Sequence, residues 1–306
     1  MITGKLAEQV DRLRAERAPF VLATVVRARR PTSVRPGDTA VVLADGTIEG
    51  FVGGVCAESS VRLYSLRVLE TGEPLLLRLV PGEGEGAPSD ELEGAVIEHN
   101  PCLSGGTLEI FLEPQVPAAR MIIIGGSPIA EALEQVGAAA GYDAVRSSAG
   151  EVDLEDVDGA AAVIVAAHGN GEEQVLERAL GAGVPYVALV ASPRRGSAVR
   201  AALDLPEELV AQLHSPAGLD IGARTPAEIA ISILAELVAE DHADPAPNRP
   251  ALPTVTTVAV DPICGMQVAV ADSSWHLDMG GERVFFCGEH CRRTYAEQHA
   301  SDAQPR

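Results

Sequence analysis

Four short strand-like runs separated by helical stretches between residues 119 and 240 constrain the fold more than any other feature of the chain. Met121–Ile124 is apolar throughout. Tyr142–Arg146, Ala161–Ala167 and Tyr186–Val190 follow it, leaving room for helices near 128–140, 172–181 and 195–203. A strand that is apolar on both faces must be covered on both, and strand–helix alternation does this with helices on each side of a parallel sheet. The pattern predicts a doubly wound domain whose ligands belong at the carboxyl ends of its strands.

That edge carries its own signals. Gly125-Gly126-Ser127-Pro128 opens the first helix, but Ser127 stands where the dinucleotide fingerprint wants its second glycine. The second strand ends Arg146-Ser147-Ser148, without an acid for a ribose, so ordinary NAD binding is disfavoured. Gly125, Gly126, Ser127 and Arg146 suit a phosphate instead; a scaffold carrying no nucleotide fits the same residues. His168-Gly169 follows the third strand. A lone histidine is more often structural, yet this position is where such sheets place ligands. The domain closes with His214 to Glu228, in which Thr225 and Glu228 form a capping box with Pro226 at the first helical position. Ile229, Ile233, Leu234, Leu237 and Val238 then share one apolar face.

Residues 1–115 read as a separate α+β domain. Leu6, Val10 and Leu13 mark a short helix, Phe20–Val26 a buried strand, and Thr39–Leu43 and Ile48–Val52 a hairpin around Asp45-Gly46. Gly53-Gly54-Val55-Cys56-Ala57-Glu58 leads into a helix on which Val61, Tyr64, Val68 and Leu69 recur, until Thr71-Gly72 stops it. Two glycines thus run into a helix N-terminus, where backbone N–H groups are unpaired and the dipole is positive. A thiol there tends to a lowered pKa; a tight turn with a small buried cysteine fits equally well. The loop Arg29–Gly37 holds three arginines and two hydroxyls, enough for a phosphate, or else a solvated basic loop. Pro74–Val80 is a strand, 82–93 an acidic, glycine-rich mobile loop, and Thr107–Leu112 a strand. Before that last strand, Pro101-Cys102-Leu103-Ser104-Gly105-Gly106 repeats the pairing of a cysteine with two glycines. If the fold brings the loops together, Cys56, Cys102, Gly53, Gly54, Ser104, Gly105 and Gly106 line one site.

A net charge of −21 argues against nucleic-acid binding, which wants a basic face. No apolar run approaches the ~20 residues of a membrane span. Met1-Ile2-Thr3-Gly4-Lys5 lacks a signal peptide's charged and apolar regions, so a cytoplasmic protein is expected. On that expectation the five cysteines are thiols or ligands rather than disulfides. Three of them lie past residue 260, beyond a proline-rich linker at 241–256. The tail at 257–306 is short for a core without a staple. Cys287 and Cys291, four apart at a helix start, share a face, and Cys264 sits between Ile263 and Gly265. The three thiols suit a soft metal, Cu or Zn, with His290, His276 or Met266 as a fourth ligand. Small buried thiols are the plainer alternative.

With these residues in view, residues 1–240 resemble the XdhC/CoxI family of molybdenum-hydroxylase accessory proteins. The matching pieces are Gly50 to Glu58, Pro101 to Gly106, the Gly125 loop, His168-Gly169 and the closing stretch His214 to Val238. Val55, however, intervenes between the glycine pair and Cys56, which many relatives place together. Residues 259–297 resemble a YHS domain, with Asp261-Pro262-Ile263-Cys264-Gly265-Met266 at the start and Phe286-Cys287 to Cys291 near the end. Gly288 stands where that module commonly has serine.

The resemblance implies a maturation factor rather than an enzyme. It would bind the molybdenum cofactor (molybdopterin or its cytosine dinucleotide), shelter it during sulfuration and pass it to an apo-enzyme of the xanthine or carbon monoxide dehydrogenase type. Cys56, Glu58 and Cys102 would carry the chemistry, the Rossmann half would hold the nucleotide tail, and Cys264, Cys287 and Cys291 would hold the metal. A cysteine desulfurase as a further partner and a homodimer are also implied. The expected architecture is α/β: an N-terminal α+β domain, a Rossmann-like doubly wound parallel sheet domain and a small Cys-rich metal-binding module. The rivals are an NAD(P)-dependent oxidoreductase with Cys56 as its redox group, and a non-catalytic metal-sensing scaffold.

Overall fold

The structure, a computed structural model, describes residues 4–82, 94–100, 106–148, 157–167, 171–243, 257–279 and 281–300. The expected mobile loop from residue 83 to 93 and the proline-rich stretch from 244 to 256 lie outside these. The chain forms two compact units, Met1–Pro117 with Leu252–Arg306, and Ala118–Ala251.

In the first unit a six-stranded sheet runs in the order β3-β2-β1-β6-β4-β5. Its strands are β1 (Phe20–Arg29), β2 (Thr39–Leu43), β3 (Ile48–Gly50), β4 (Leu75–Pro81), β5 (Ala95–Asn100) and β6 (Thr107–Gln115). All neighbours are antiparallel except β4 and β5. Side chains alternate along the strands. Val21, Ala23, Val25, Ala40 and Val42 face α2 (Val55–Thr71), while Phe20 and Val41 face the other way, toward Val10 and Leu13 of α1 (Lys5–Ala15). The Asp45-Gly46 turn forms as expected, and Gly72 ends α2 in the left-handed conformation, its N–H donating to the Val68 carbonyl.

Helix α2 departs from the single stripe its spacing predicts. Val61, Tyr64, Val68 and Leu69 are buried, but so are Leu63, Leu66, Ser59, Ser60 and Ser65. Part of the added cover comes from the C-terminal segment. There β12 (Val258–Val260) pairs antiparallel with β13 (Gln267–Ala269), and β14 (Trp275–Met279) with β15 (Glu282–Phe286), ahead of α8 (Glu289–Ala300). Ala269, with Val258 and Ala271, joins the α2 core. Arg67 of α2 donates to Gln267 Oε1 (3.3 Å), and the Ser273 hydroxyl donates to the Asp45 carbonyl (2.8 Å). A separate small core holds Met266, Val268, Phe285, Phe286, Cys287 and Cys291. Arg292 stacks over Trp275 at 4.6 Å.

The second unit is the predicted doubly wound domain. Five parallel strands, β7 (Arg120–Ile124), β8 (Asp143–Ser147), β9 (Ala162–Val165), β10 (Tyr186–Leu189) and β11 (Leu213–His214), lie in the order β11-β10-β9-β7-β8. Met121, Ile123, Ala162 and Ile164 point to α3 (Pro128–Ala139) and α7 (Pro226–Ala243). Ile122, Ile124, Val163 and Val165 point to the face of α4 (Glu172–Gly181) and α5 (Pro193–Ala202). Burial on both faces explains why the central strands are apolar from Met121 to Ile124 and from Ala162 to Val165. A short helix, α6 (Glu207–Val210), precedes β11. The capping box of α7 forms: Glu228 accepts from the N–H groups of Arg224 and Thr225, and the Thr225 hydroxyl accepts from Glu228 N–H. Its buried face is Ile233, Leu234 and Leu237; Val238, expected with them, is exposed because it lies beyond the width of that stripe.

Candidate functional sites

The glycine-led start of α2 is open. Gly54 is the N-cap residue with extended backbone, and no side chain caps the helix. A Cβ added at Gly54 would meet nothing within 4 Å. Gly53 has φ +148°, and a Cβ there would sit 2.7 Å from Cβ of Ala57, so the turn is built for glycine. Among the described residues no side chain takes the first-turn N–H groups, an arrangement that suits an anion. Cys56 lies in this first turn, its side chain outside the described atoms. Glu58 is half-buried beside Arg62, whose Nε donates to the Gly46 carbonyl (2.8 Å).

Cys102, Ser104 and Gly105 lie outside the described residues, but the chain on either side of them is fixed beside α2. The position of a Gly53 Cβ is 3.5 Å from Leu108 Cδ1, two residues beyond Gly106. A Cβ at Gly106 would collide with the carbonyls of Arg29 and Pro31, so the Arg29–Gly37 loop closes on this segment too. On the other side, Ser60 donates to Glu98 Oε1 (3.0 Å) from one turn past Cys56, and Glu98 stands four residues before Cys102. Both flanks of the second Gly/Cys segment thus meet the first turns of α2.

Glu98 was not foreseen. Burial pushes its carboxyl up to about 7, against the Ser60 hydrogen bond and the Arg67 charge, which pull it down. Among the described residues its second oxygen has no hydrogen-bond partner. Strand β5, which carries Glu98, also went unread, since Ala95–Asn100 follows a Gly- and Glu-rich stretch and alternates weakly.

The C-terminal thiols converge. Asp261, Cys264, Cys287 and Cys291 each offer a ligand atom within 4.8 Å of the others. The Sγ of Cys287 lies 3.5 Å from that of Cys264 and 3.7 Å from that of Cys291. A tetrahedral ion with metal–sulfur bonds of ~2.3 Å sets its sulfurs about 3.8 Å apart, so the spacing fits a metal. Among the described His, Cys, Asp and Glu residues, the fourth member of the group is Asp261. His276 faces the Ser274 carbonyl (2.8 Å), His290 is exposed, and Met266 packs in the core. Asp261 is fully buried and ties the two thiol loops together, accepting from the N–H groups of Ile263 (2.9 Å), Cys264 (3.4 Å) and Cys287 (2.8 Å). Those bonds hold its carboxyl below the usual range despite burial. Hydrogen bonding with Cys287 lowers the Cys264 thiol, while burial and the nearby negative charges push Cys291 up to about 12. Without a cation the three sulfurs do not ionise together; a bound cation would hold all three as thiolates.

In the second unit, the loops after β7 and β9 meet where the strand order reverses, the usual ligand crevice of such sheets. The Ser127 hydroxyl accepts from Ala130 N–H (3.2 Å) and donates to the Ala166 carbonyl (2.8 Å). Gly125 has φ +132°, and a Cβ there would lie 2.7 Å from the Ala166 oxygen. Gly126 faces open space. Arg146 is on β8, paired with Glu134 at 3.0 Å. His168 lies outside the described residues. Arg195, at the start of α5, bonds the Ala167 carbonyl (3.2 Å) and the buried Glu172. A second network lies under the closing stretch. Tyr186 donates to Glu236 Oε2 (2.6 Å), which also takes Gly218 N–H (2.8 Å), and His214 lies 3.6 Å from Oε1. Burial, with this hydrogen bond, raises the tyrosine's pKa.

Residues 13–79 match the model of the XdhC and CoxI family, and residues 121–237 match the XdhC Rossmann domain. The chain is 27% identical over 258 residues to the uncharacterized protein YqeB of Escherichia coli (strain K12). That similarity covers 75% of this chain and 45% of YqeB, so the chain spans about half the length of that curated relative. A crystal structure described as a xanthine dehydrogenase from Bacillus halodurans is similar with a TM-score of 0.36 and 18% identity, covering 77% of this chain and 95% of that one. The two family matches support the XdhC/CoxI family for this chain.

Proposed function

With that family as the premise, we propose that the chain is a maturation factor for a molybdenum hydroxylase of the xanthine or carbon monoxide dehydrogenase type. It holds the molybdenum cofactor while its terminal sulfur is installed, releases it into the apo-enzyme, and carries a C-terminal module that handles Cu or Zn. The observation that supports this reading best is the uncapped, glycine-led start of α2 with both flanks of the Cys102 segment beside it. When bound, the cofactor supplies a phosphate and a dithiolene-held molybdenum with an exchangeable sulfur. The first-turn N–H groups of α2 bind the phosphate, and Gly54 lets it approach. Cys56 and Cys102 stand at the two loops that take the sulfur-bearing end. Glu98, held near neutrality against Ser60 of α2, is a group able to hold or release a proton at that end of the helix. The edge of the parallel sheet around Gly126 and Arg195 offers a second place for a phosphate. The client apo-enzyme and a cysteine desulfurase are the partners in this reading.

Anaerobic purification followed by pterin analysis tests it. Molybdopterin should co-purify with the wild-type chain and be lost from Cys56→Ser. No pterin in either, together with NAD(P) binding, would replace this reading with an oxidoreductase. A chain holding metal but neither pterin nor nucleotide would be a metal-sensing scaffold. Elemental analysis of the same samples identifies the ion at Cys264, Cys287 and Cys291.

A further inference from the structure

The loop between β1 and β2 carries positive charge that the fold does not use. Arg29, Arg30 and Arg35 fall close together in a chain with 23 basic against 44 acidic side chains. All three are exposed, and among the described residues none has an acidic partner. Arg27, two residues earlier, differs: it meets Glu109 at 3.3 Å. The acid of the loop, Asp38, accepts from the backbone N–H of Arg35 (2.8 Å), not from a guanidinium. The loop is also tied down. Val34 is buried in the same core as Val52 and Ala57, and Gly37 N–H donates to the Val25 carbonyl (2.8 Å).

The topology sets this loop beside the start of α2. Strand β1 ends at Arg29 and β2 begins at Thr39. Antiparallel pairing then brings the end of β3, Gly50, against Ala40, and the start of β6, Thr107, against Arg29. These four strand ends lie at one end of the sheet. Phe51 N–H donates to the Thr39 carbonyl (3.1 Å), three residues before Gly54. A Cβ at Gly106 would collide with the Pro31 carbonyl, so the flank of the Cys102 segment packs on the same loop. One end of the sheet therefore gathers three unpaired arginines, the open Gly53-Gly54 pair and Gly106.

We propose that Arg29, Arg30 and Arg35 bind a phosphate or diphosphate group and complete the anion site that begins at the start of α2. A helix end offers N–H donors and a partial charge; a guanidinium adds a full charge and a bidentate fork. In a chain of net charge −21 an anionic ligand is repelled by the general field, and a local cationic loop gives it a favourable approach. The inference rests on the reading of the α2 loop as the cofactor site, where the group is the phosphate of molybdopterin or the diphosphate of its dinucleotide.

The test titrates inorganic pyrophosphate into the full chain, produced in cells that make no molybdopterin, by calorimetry at low and at physiological salt. The wild type should bind, and more weakly as salt rises. Arg30→Gln with Arg35→Gln should weaken binding by about tenfold or more, with the melting temperature of the free chain unchanged. Lysine at both positions keeps the charge but loses the fork, and should fall between the two. Arg14→Gln removes the same charge at the opposite end of the sheet, where Arg14 bonds Gln115 (3.0 Å), and should bind as the wild type does. Absence of pyrophosphate binding in the wild type would overturn the proposal. So would an equal loss in Arg14→Gln, which would report net charge alone. Pterin analysis of the same variants, made in cells that supply the cofactor, separates the two ideas. Pterin held in full by the double glutamine variant overturns the arginine site and leaves the cofactor reading standing. Arginine-dependent pyrophosphate binding in a wild-type chain that never holds pterin keeps the anion site and overturns the cofactor reading.

Discussion

Two helices of this chain start from a glycine pair, and their ends differ. At α3, Ser127 caps the helix, bonds the neighbouring Ala166 carbonyl, and is followed by a proline with no N–H to satisfy. At α2, Gly54 holds the equivalent place with no side chain, and nothing caps the first turn. Against glycine a serine cap is worth only a few tenths of a kcal/mol, so its omission at α2 is a small cost to the fold. The difference teaches that a glycine pair before a helix does not by itself mark a ligand site. What discriminates is whether the protein has already satisfied the helix end.

The largest effect should come from the sealed loop. Gly125→Ala puts a Cβ into a positive-φ position and 2.7 Å from the Ala166 oxygen, where backbone must move. We expect it to cost more than about 2 kcal/mol in thermal or denaturant unfolding of the second unit. Gly54→Ala has ordinary backbone and free space, and should cost under about 1 kcal/mol. Similar losses at the two positions would break the contrast.

The next effect is a pH dependence confined to the open site. Glu98 has its pKa raised to about 7, so the folded chain holds a proton there that the unfolded chain gives up. Stability from this group is present below the ordinary carboxyl value and is lost as pH rises through about 7. The loss should be up to roughly 3 kcal/mol, and Glu98→Gln should flatten that part of the profile. A profile unchanged by the substitution would mean that Glu98 is solvated rather than buried beside Ser60.

Smaller again is Ser127→Ala, expected to destabilise the second unit by roughly 1 kcal/mol through loss of the cap and of the bond to Ala166. Pterin retention should not change, because the hydroxyl's bonds are already made within the protein. A loss of pterin with no loss of stability would move the cofactor site to the parallel sheet.

Local pattern explains why most of the architecture was legible. The fully apolar runs at Met121 and Ala162 require a sheet covered on both faces, and Thr225-Pro226 with Glu228 fixes a helix start whatever surrounds it. The three module thiols were legible because Cys287 and Cys291 are four apart at a helix start and the tail is short for a core without a staple. What stayed hidden depends on pairs far apart in sequence. The added burial of α2 draws on Ala269, some 200 residues away, and the raised pKa of Glu98 comes from its burial in the fold, with Ser60 of α2 beside it. Asp261 was visible as a residue but not as the hub of two loops, because its partners at 263, 264 and 287 are backbone N–H groups that no side-chain pattern reveals. Val238 differs for a local reason: it lies at the margin of the apolar stripe of α7 and is exposed.

The smallest change in stability gives the sharpest test. Gly54→Ser should give α2 the cap that α3 already has, since the backbone at residue 54 is extended and a Cβ there meets nothing. The gain over glycine at such a position is only a few tenths of a kcal/mol. The serine oxygen would take one of the first-turn N–H groups, the same donors an anion needs. Stability and pterin retention should therefore move in opposite directions, a slight rise in melting temperature beside a several-fold fall in bound pterin. A variant that is stabilised and still holds its pterin would show that the ligand does not use the helix end, and the missing cap would need another explanation.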